Sequence, residues 1–261
     1  MKHIAVSLFL IAPTVLTAGG VFDGIDVVFL GELHDNADHH ARQADYVSDL
    51  DPPALVFEML TPEQAKLITP DLVADEDALE AALGWNESGW PDFSMYYPIF
   101  SAAPQASVYG AAVPRDRARA AMQDGMASAF RGDADRYGLT TPLDPDEQED
   151  REALQLAAHC DAMPVEMLPT MVEIQRLRDA ELAFAALDAF EAHGGPVVVI
   201  TGNGHARLDW GAPVYVQAAA PSVTIAALGQ GEDGRPAPAG QFDLIESSPP
   251  AKRGDPCDAF R

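Results

Sequence analysis

The sequence predicts an α/β fold: a mostly parallel sheet flanked by helices, with a smaller helical lobe. Three observations carry that prediction. Short apolar runs recur along the chain, each closed by a glycine, a proline or a charged group. Helical patterns alternate with those runs, as they do where crossover helices join parallel strands. The stretch from Asp116 to His193 is mostly helical and supplies the lobe.

The first strand is Val27 to Leu30, led in by Ile25 and Asp26 and broken by Gly31. A helix is expected from about Ala37 to Leu50. Asp51-Pro52-Pro53 stops it, because proline cannot continue a helix and disfavours helix in the residue before it. Ala54 to Phe57 is the second strand and runs into Glu58. Thr61-Pro62-Glu63-Gln64 opens a helix, with Thr61 as cap, Pro62 at the first position and Gln64 placed to close a capping box.

The segment from Asp71 to Ala103 is less regular and holds Trp85, Trp90, Phe93, Tyr96, Tyr97 and Phe100. Such aromatic density makes either packed core or a wall for a flat ligand. Ser107 to Val113 is the third strand, ending at Pro114-Arg115. The acidic loop from Leu143 to Asp150 enters a helix at the end where negative charge is favourable. A long helix covers Glu166 to Ala192 and stops at Gly194-Gly195. Pro196 to Ile200 is the strongest strand pattern and leads into TGNGHAR, and Val214–Val216 and Val223–Ala226 read as further strands.

The domain layout is therefore a leader over residues 1–20, an α/β domain over 21–246 and a flexible tail over 247–261. Helical insertions fall at about 60–105 and 116–193 within the domain. In the leader, Lys2 precedes an apolar run from Ile4 to Leu16, too short to span a bilayer, and Ala18, Gly19 and Gly20 offer a cleavage region. The alternative for this stretch is an opening strand. No later stretch approaches membrane-spanning length.

Of 261 residues, 48% are hydrophobic, enough for a sizeable core. Against 41 acids stand 16 Lys and Arg, giving a net charge of −25. A field of that sign repels phosphate backbones and anionic membranes, so nucleic acid is excluded as a partner. Cys160 and Cys257 are the two cysteines; they pair in an oxidising compartment or stand as free thiols, and their spacing matches no zinc motif.

Chemistry gathers at the predicted strand ends. Strand one delivers Glu32 and His34, strand two Glu58, strand three Arg115, and the strand at 197–200 Asn203 and His205. Ligands of parallel sheets bind outside the carboxyl ends of the strands. Two carboxylates and two imidazoles brought together there would hold a divalent metal or act as general acid and base without one. Three of the seven histidines, His34, His39 and His40, fall close together. Of His39 and His40, one is expected to face the sheet. His159 and His193 are expected at helix ends, and His3 lies in the leader. Gly31, Gly202 and Gly204 mark left-handed backbone or close approach. TGNGH lacks the lysine and spacing of a phosphate loop.

Four ordered blocks, GELHDNADHHARQ at 31–43, VFEM at 56–59, QRLRDAELA at 175–183 and ITGNGHARLDWGAP at 200–213, resemble the ChaN-like family of haem-binding, iron-uptake-associated proteins. That family is grouped with the Tiki and erythromycin-esterase-like proteins. The resemblance covers most of residues 23–230. It implies an α/β fold with a helical lobe, and a shared site at Glu32, His34, Glu58 and His205.

Two functions follow from it. One is a periplasmic haem- or iron-binding protein associated with iron uptake. Its cofactor, haem, would lie against Glu32, His34, His39, Asn203 and His205, with the Trp90–Tyr97 segment stacked on the porphyrin. Tyr96 or Tyr97 is then a candidate axial ligand, and Arg115 or Arg207 a propionate partner. A homodimer around haem and an outer-membrane iron-uptake receptor are the partners implied. The other is a hydrolase of the Tiki and esterase-like type. There Glu32, His34, Glu58 and His205 are catalytic, either by acid–base chemistry or with a divalent metal ion on His34 and His205. The family's best-known members carry a lipid-bearing cysteine after the leader, and no Cys precedes Cys160 here. A soluble, exported protein without a lipid anchor is the expectation.

Overall fold

A computed structural model describes residues 18–255 and 257–258. Most of the expected leader thus lies outside the described residues, as does His3. Six strands form one sheet: β1 (Val27–Glu32), β2 (Ala54–Phe57), β3 (Ser107–Gly110), β4 (Val197–Gly202), β5 (Ile225–Glu232) and β6 (Leu244–Ser248). Their order is β3-β2-β4-β1-β5-β6, and every neighbouring pair is parallel. Helices cover both faces, so the fold is α/β.

Covered on both sides, the central strands read as unbroken apolar runs. Alternate residues still go to opposite faces. Val27, Phe29, Val197 and Val199 join one cluster, with Leu177, Ala180 and Ala183 of the helix Leu168–His193. Val28, Leu30, Val198 and Ile200 join the other, with Tyr46 and Val47 of the helix Ala37–Leu50 and the aromatics of Phe93–Ala102. Those aromatics are mostly core: Trp85, Phe93, Tyr96 and Phe100 are all buried. Gly31 is required by close approach, since a Cβ there would stand 2.6 Å from Asn203 Oδ1 and 2.7 Å from the Leu228 carbonyl.

Both hydrogen bonds of the Thr61–Gln64 capping box are formed at the helix Pro62–Ala65. Two strand expectations are corrected. Val214–Val216 lies in the helix Ala212–Ala219, where Ala212, Tyr215, Val216 and Ala219 are buried at helical spacing. The strand expected over Val223–Ala226 starts at Ile225 and runs on to Glu232, through a Gly-Gln-Gly-Glu stretch.

Ser247 and Ser248 close β6 at the sheet edge. Beyond them Arg253 reaches Glu232 at the end of β5 and Asp35 in the loop after β1, through contacts of 2.5–2.8 Å. Cys160, just past the helix Pro145–Ala158, is disulfide-bonded to Cys257. No helix among the described residues is long and apolar enough to cross a membrane.

Candidate functional site

Glu32 is the last residue of β1 and is buried. Its Oε1 accepts hydrogen bonds from His34 Nδ1 at 2.7 Å and from the Tyr96 hydroxyl at 3.0 Å. Its Oε2 stands 3.1 Å from Nδ1 of His40, outside hydrogen-bond geometry but within electrostatic reach. Burial opposes charge on Glu32; the His34 hydrogen bond and the close approach and charge of both imidazoles outweigh it and hold the carboxyl at about 2. Burial likewise opposes charge on His34, yet the Glu32 hydrogen bond and the Glu58 charge push it up to about 9. The Tyr96 phenol is pushed far up by burial and by the Glu32 charge.

His39 and His40 are both buried, so the expectation that one of them turns away from the sheet is corrected. His39 Nδ1 accepts from the Leu33 N–H at 2.9 Å, which leaves Nε2 to donate to the Gly231 carbonyl at 3.0 Å. Burial lowers its pKa, in keeping with a neutral ring whose two nitrogens are both used. His40 donates from Nε2 to the His34 carbonyl at 2.9 Å and packs on Tyr96 with ring centroids 4.1 Å apart.

A second group starts from Glu58, just after β2. Its Oε2 accepts from the Thr201 hydroxyl at 2.7 Å and the Gly202 N–H at 2.8 Å. Its Oε1 lies 3.5 Å from His205 Nε2. Burial opposes its charge, but the charges of His205 and His34 and these two donors lower its pKa. His205, on the short helix Asn203–Ala206 that follows β4, bonds through Nδ1 to Asp179 Oδ1 at 2.6 Å. Gln175 Nε2 is also 3.1 Å from that Nδ1. One ring nitrogen cannot donate to Asp179 and accept from an amide at once, and the shorter carboxylate contact prevails. Asp179 is raised by burial. His205 is raised because the charges of Glu58 and Asp179 outweigh burial.

Gly202 joins the two groups. A Cβ there would stand 3.0 Å from His34 Nε2 and 3.8 Å from Glu58 Oε2. Glu32, His34, Glu58 and His205 thus share the carboxyl end of the sheet. Beside them opens a cleft of about 620 Å³, lined by Glu58, Glu87, Trp90, Arg115 and Arg178 among others. Such a volume is in the range of small-molecule and cofactor sites. His34 packs on Trp90 of the cleft wall, with ring centroids 4.8 Å apart, and does not itself line the cleft.

Several residues expected at this site are placed elsewhere. Tyr96 is buried against Glu32, and the Tyr97 hydroxyl donates to the Val73 carbonyl at 3.0 Å; neither phenol lines the cleft. Asn203 spends its amide on Gln230, donating to its carbonyl and accepting from its N–H. Arg207 pairs with Asp209 and stacks on Trp210, 3.9 Å from the ring centroid. Of the two arginines expected near propionates, Arg115 alone reaches the cleft. The divalent-metal expectation for His34 and His205 finds no support. Among the described residues no three His, Cys, Asp or Glu side chains are grouped to hold an ion, and both His205 nitrogens face carboxylates.

Sequence reasoning missed Asp179, His40 and Arg178 as members of the site. Asp179 carried a signal: it is an acid on the face of a helix otherwise buried through Leu177, Ala180, Leu182 and Ala183. Arg178 carried none beyond its block, and His40 only its place in the run of three histidines.

For haem, the donor set fits. A ligating histidine normally gives its other N–H to a carboxylate, and His34 does so through Nδ1 to Glu32. Its Nε2 makes no hydrogen bond among the described residues, and Arg115 and Arg178 offer charge to carboxylates.

A solved structure of cofacial haem binding to ChaN of Campylobacter jejuni shares 20% identity, with a TM-score of 0.60 over 81% of this chain and 84% of that one. The type III effector HopBA1 follows at 12% identity and a TM-score of 0.45, over 89% and 91% of the two chains. A succinoglycan biosynthesis protein stands at 14% and 0.42, over 81% of this chain and 67% of its own. No curated protein matches the sequence. The first likeness bears on the fold, and the family on the sequence: the haem-binding uptake pattern of the Tiki superfamily, ChaN, matches residues 22–216, and with three-quarters of its length inside that match the chain belongs to that family.

Proposed function

We propose that this chain is an exported haem- or iron-binding protein associated with iron uptake, and that it takes haem at the cleft beside the GELH and GNGH motifs. One observation carries the reading: the His34 imidazole, fixed by Glu32 at 2.7 Å, packs on Trp90, and Trp90 lines a cleft together with two arginines. In this reading His34 is the iron ligand, Trp90 lies against the porphyrin, and Arg115 and Arg178 face its propionates. A periplasmic location is supported by the leader-like start of the sequence and by the Cys160–Cys257 bond, since disulfides persist in oxidising compartments. A homodimer around haem and an outer-membrane receptor are the partners this role would use.

The test is a titration of the purified chain with haemin. A Soret band that saturates, and that His34→Ala weakens, is the expected result. Absence of any spectral change in the wild-type protein at micromolar haemin would remove the reading.

A second reading has its own observation. The row Glu58–His205–Asp179, a histidine between two carboxylates facing a cleft, is an arrangement for acid–base hydrolysis without metal. A screen of ester and peptide substrates with wild type and His205→Ala decides it; equal rates in the two proteins would end it.

A further inference from the structure

The imidazole of His205 separates two spaces. Nε2 faces Glu58, which lines the cleft, while Nδ1 faces Asp179. Asp179 in turn lines a second cavity, of about 40 Å³, together with Arg151, Gln175, Gly204, Arg207 and Trp210. The two spaces share no lining residue. Asp179 Oδ2 is buried and has no hydrogen-bond partner among the described residues. Arg151 and Arg207 flank Trp210, 5.1 and 3.9 Å from its ring centroid, and are neutralised by Glu147 and Asp209. Leu154 on the rim is 42% exposed, so the cavity reaches the outer face of the helical lobe.

A buried carboxylate oxygen left without a partner is costly. A polar cavity needs roughly 10–15 Å³ of such space per water, with two to four polar partners for each. This one has about three times that space, and its largely apolar wall carries Asp179, Gln175 and two guanidiniums. We propose that Glu58, His205, Asp179 and water held in this cavity form a proton relay joining the cleft to the outer face of the helical lobe.

The relay runs from the ring with its proton on Nδ1. A proton released in the cleft goes to Glu58 and from its Oε1 to His205 Nε2. The Nδ1–H bond breaks as an O–H bond forms on Asp179, and Asp179 then gives its proton to cavity water. One proton enters, one leaves, and no electrons are transferred. The ring ends with its proton on Nε2; the reverse steps restore it and return one proton to the cleft, so the relay equilibrates a single proton between the two spaces and drives no net flow. A broad ligand that seals the cleft would leave this route open. The relay does not depend on which ligand that is.

The test measures how fast the His205 Nδ1 proton of the full chain exchanges with solvent, by ¹⁵N-edited NMR on histidine-labelled protein. A Cβ at Gly204 meets only Gln175 Nε2, at 3.9 Å, so Gly204→Ala puts a methyl group into the cavity without a clash. That variant is expected to slow the exchange severalfold, and Trp210→Ala, which opens the rim, to speed it severalfold. A Gly204→Ala rate equal to wild type, or a Trp210→Ala rate no faster, overturns the relay. Should Gly204→Ala fail to fold, the Trp210→Ala rate decides alone.

Discussion

Oε1 of Glu32 and Nδ1 of His34 stand 2.7 Å apart across the end of β1, with the carboxylate buried and the imidazole partly exposed. The pair fixes the rotamer of the histidine and also sets its charge. Two consequences follow, one for stability and one for ligand affinity.

Glu32→Gln is expected to flatten the dependence of stability on pH. The folded-state carboxyl sits at about 2, below its ordinary 4.5, so its stabilisation is complete above 4.5 and lost as pH falls towards 2. His34 sits at about 9, above its ordinary 6.5, so its share is complete below 6.5 and lost as pH rises through 9. Wild type should therefore melt highest between 4.5 and 6.5. The variant should lose about 3 kcal/mol inside that window, as when a buried pair loses one partner. Haemin affinity should drop about 10–100-fold, the usual cost of removing a carboxylate behind a ligating histidine. Melting curves across pH and a Soret titration check both. A variant with the wild-type pH profile would show that the pair does not set it.

Tyr96→Phe separates core from ligand. The hydroxyl donates to Glu32 and does not line the cleft, so its removal should cost about 1–2 kcal/mol of stability. The position and intensity of the Soret band should stay as in wild type. A shifted band in Tyr96→Phe would restore the phenol as an iron ligand.

What the sequence makes legible follows from how far each signal reaches. The β2 span Ala54–Phe57 is a local apolar run between two prolines and a glutamate, and it is read to the residue. Strand-end placement of Glu32, Glu58 and His205 follows from the rule for parallel sheets and needs no side-chain detail. Val214–Val216 misleads because two valines around a tyrosine have strand propensity, whereas Gly211 and Pro213 start a helix that tertiary packing completes. β6 is hidden because an edge strand needs only one neighbour, and its residues alternate between half-buried and exposed. Asp179 acquires a role only when the helix that carries it is laid beside His205, 26 residues away in sequence.

The Cys160–Cys257 bond closes a stretch of 97 residues and ties the tail to the lobe that covers the second cavity. Replacing both cysteines by alanine is expected to lower stability by about 2–4 kcal/mol, from the chain entropy returned to the unfolded state. Wild type in dithiothreitol should melt at the same reduced temperature as the double variant. Arg253→Ala should add to that loss, because Glu232 and Asp35 lose their shared cation. A double variant as stable as wild type would mean that β6 and the Arg253 contacts hold the tail without it.

Arg115 and Arg178 line the cleft in a chain of net charge −25, where most of the surface would repel an anionic ligand. Neither forms a salt bridge with an acid at 4 Å or less among the described residues. If they face propionates, their effect belongs to the carboxylates of the ligand and vanishes when those are esterified. Arg115→Ala/Arg178→Ala should therefore weaken haemin about 10–100-fold, roughly tenfold for each charge-assisted hydrogen bond lost, and leave haemin dimethyl ester unchanged. Wild type should prefer the acid to the ester, and added salt should narrow the difference, since partly exposed charges are screened. An equal loss for acid and ester would make the arginines part of the cleft wall; no loss for either would place the propionates elsewhere.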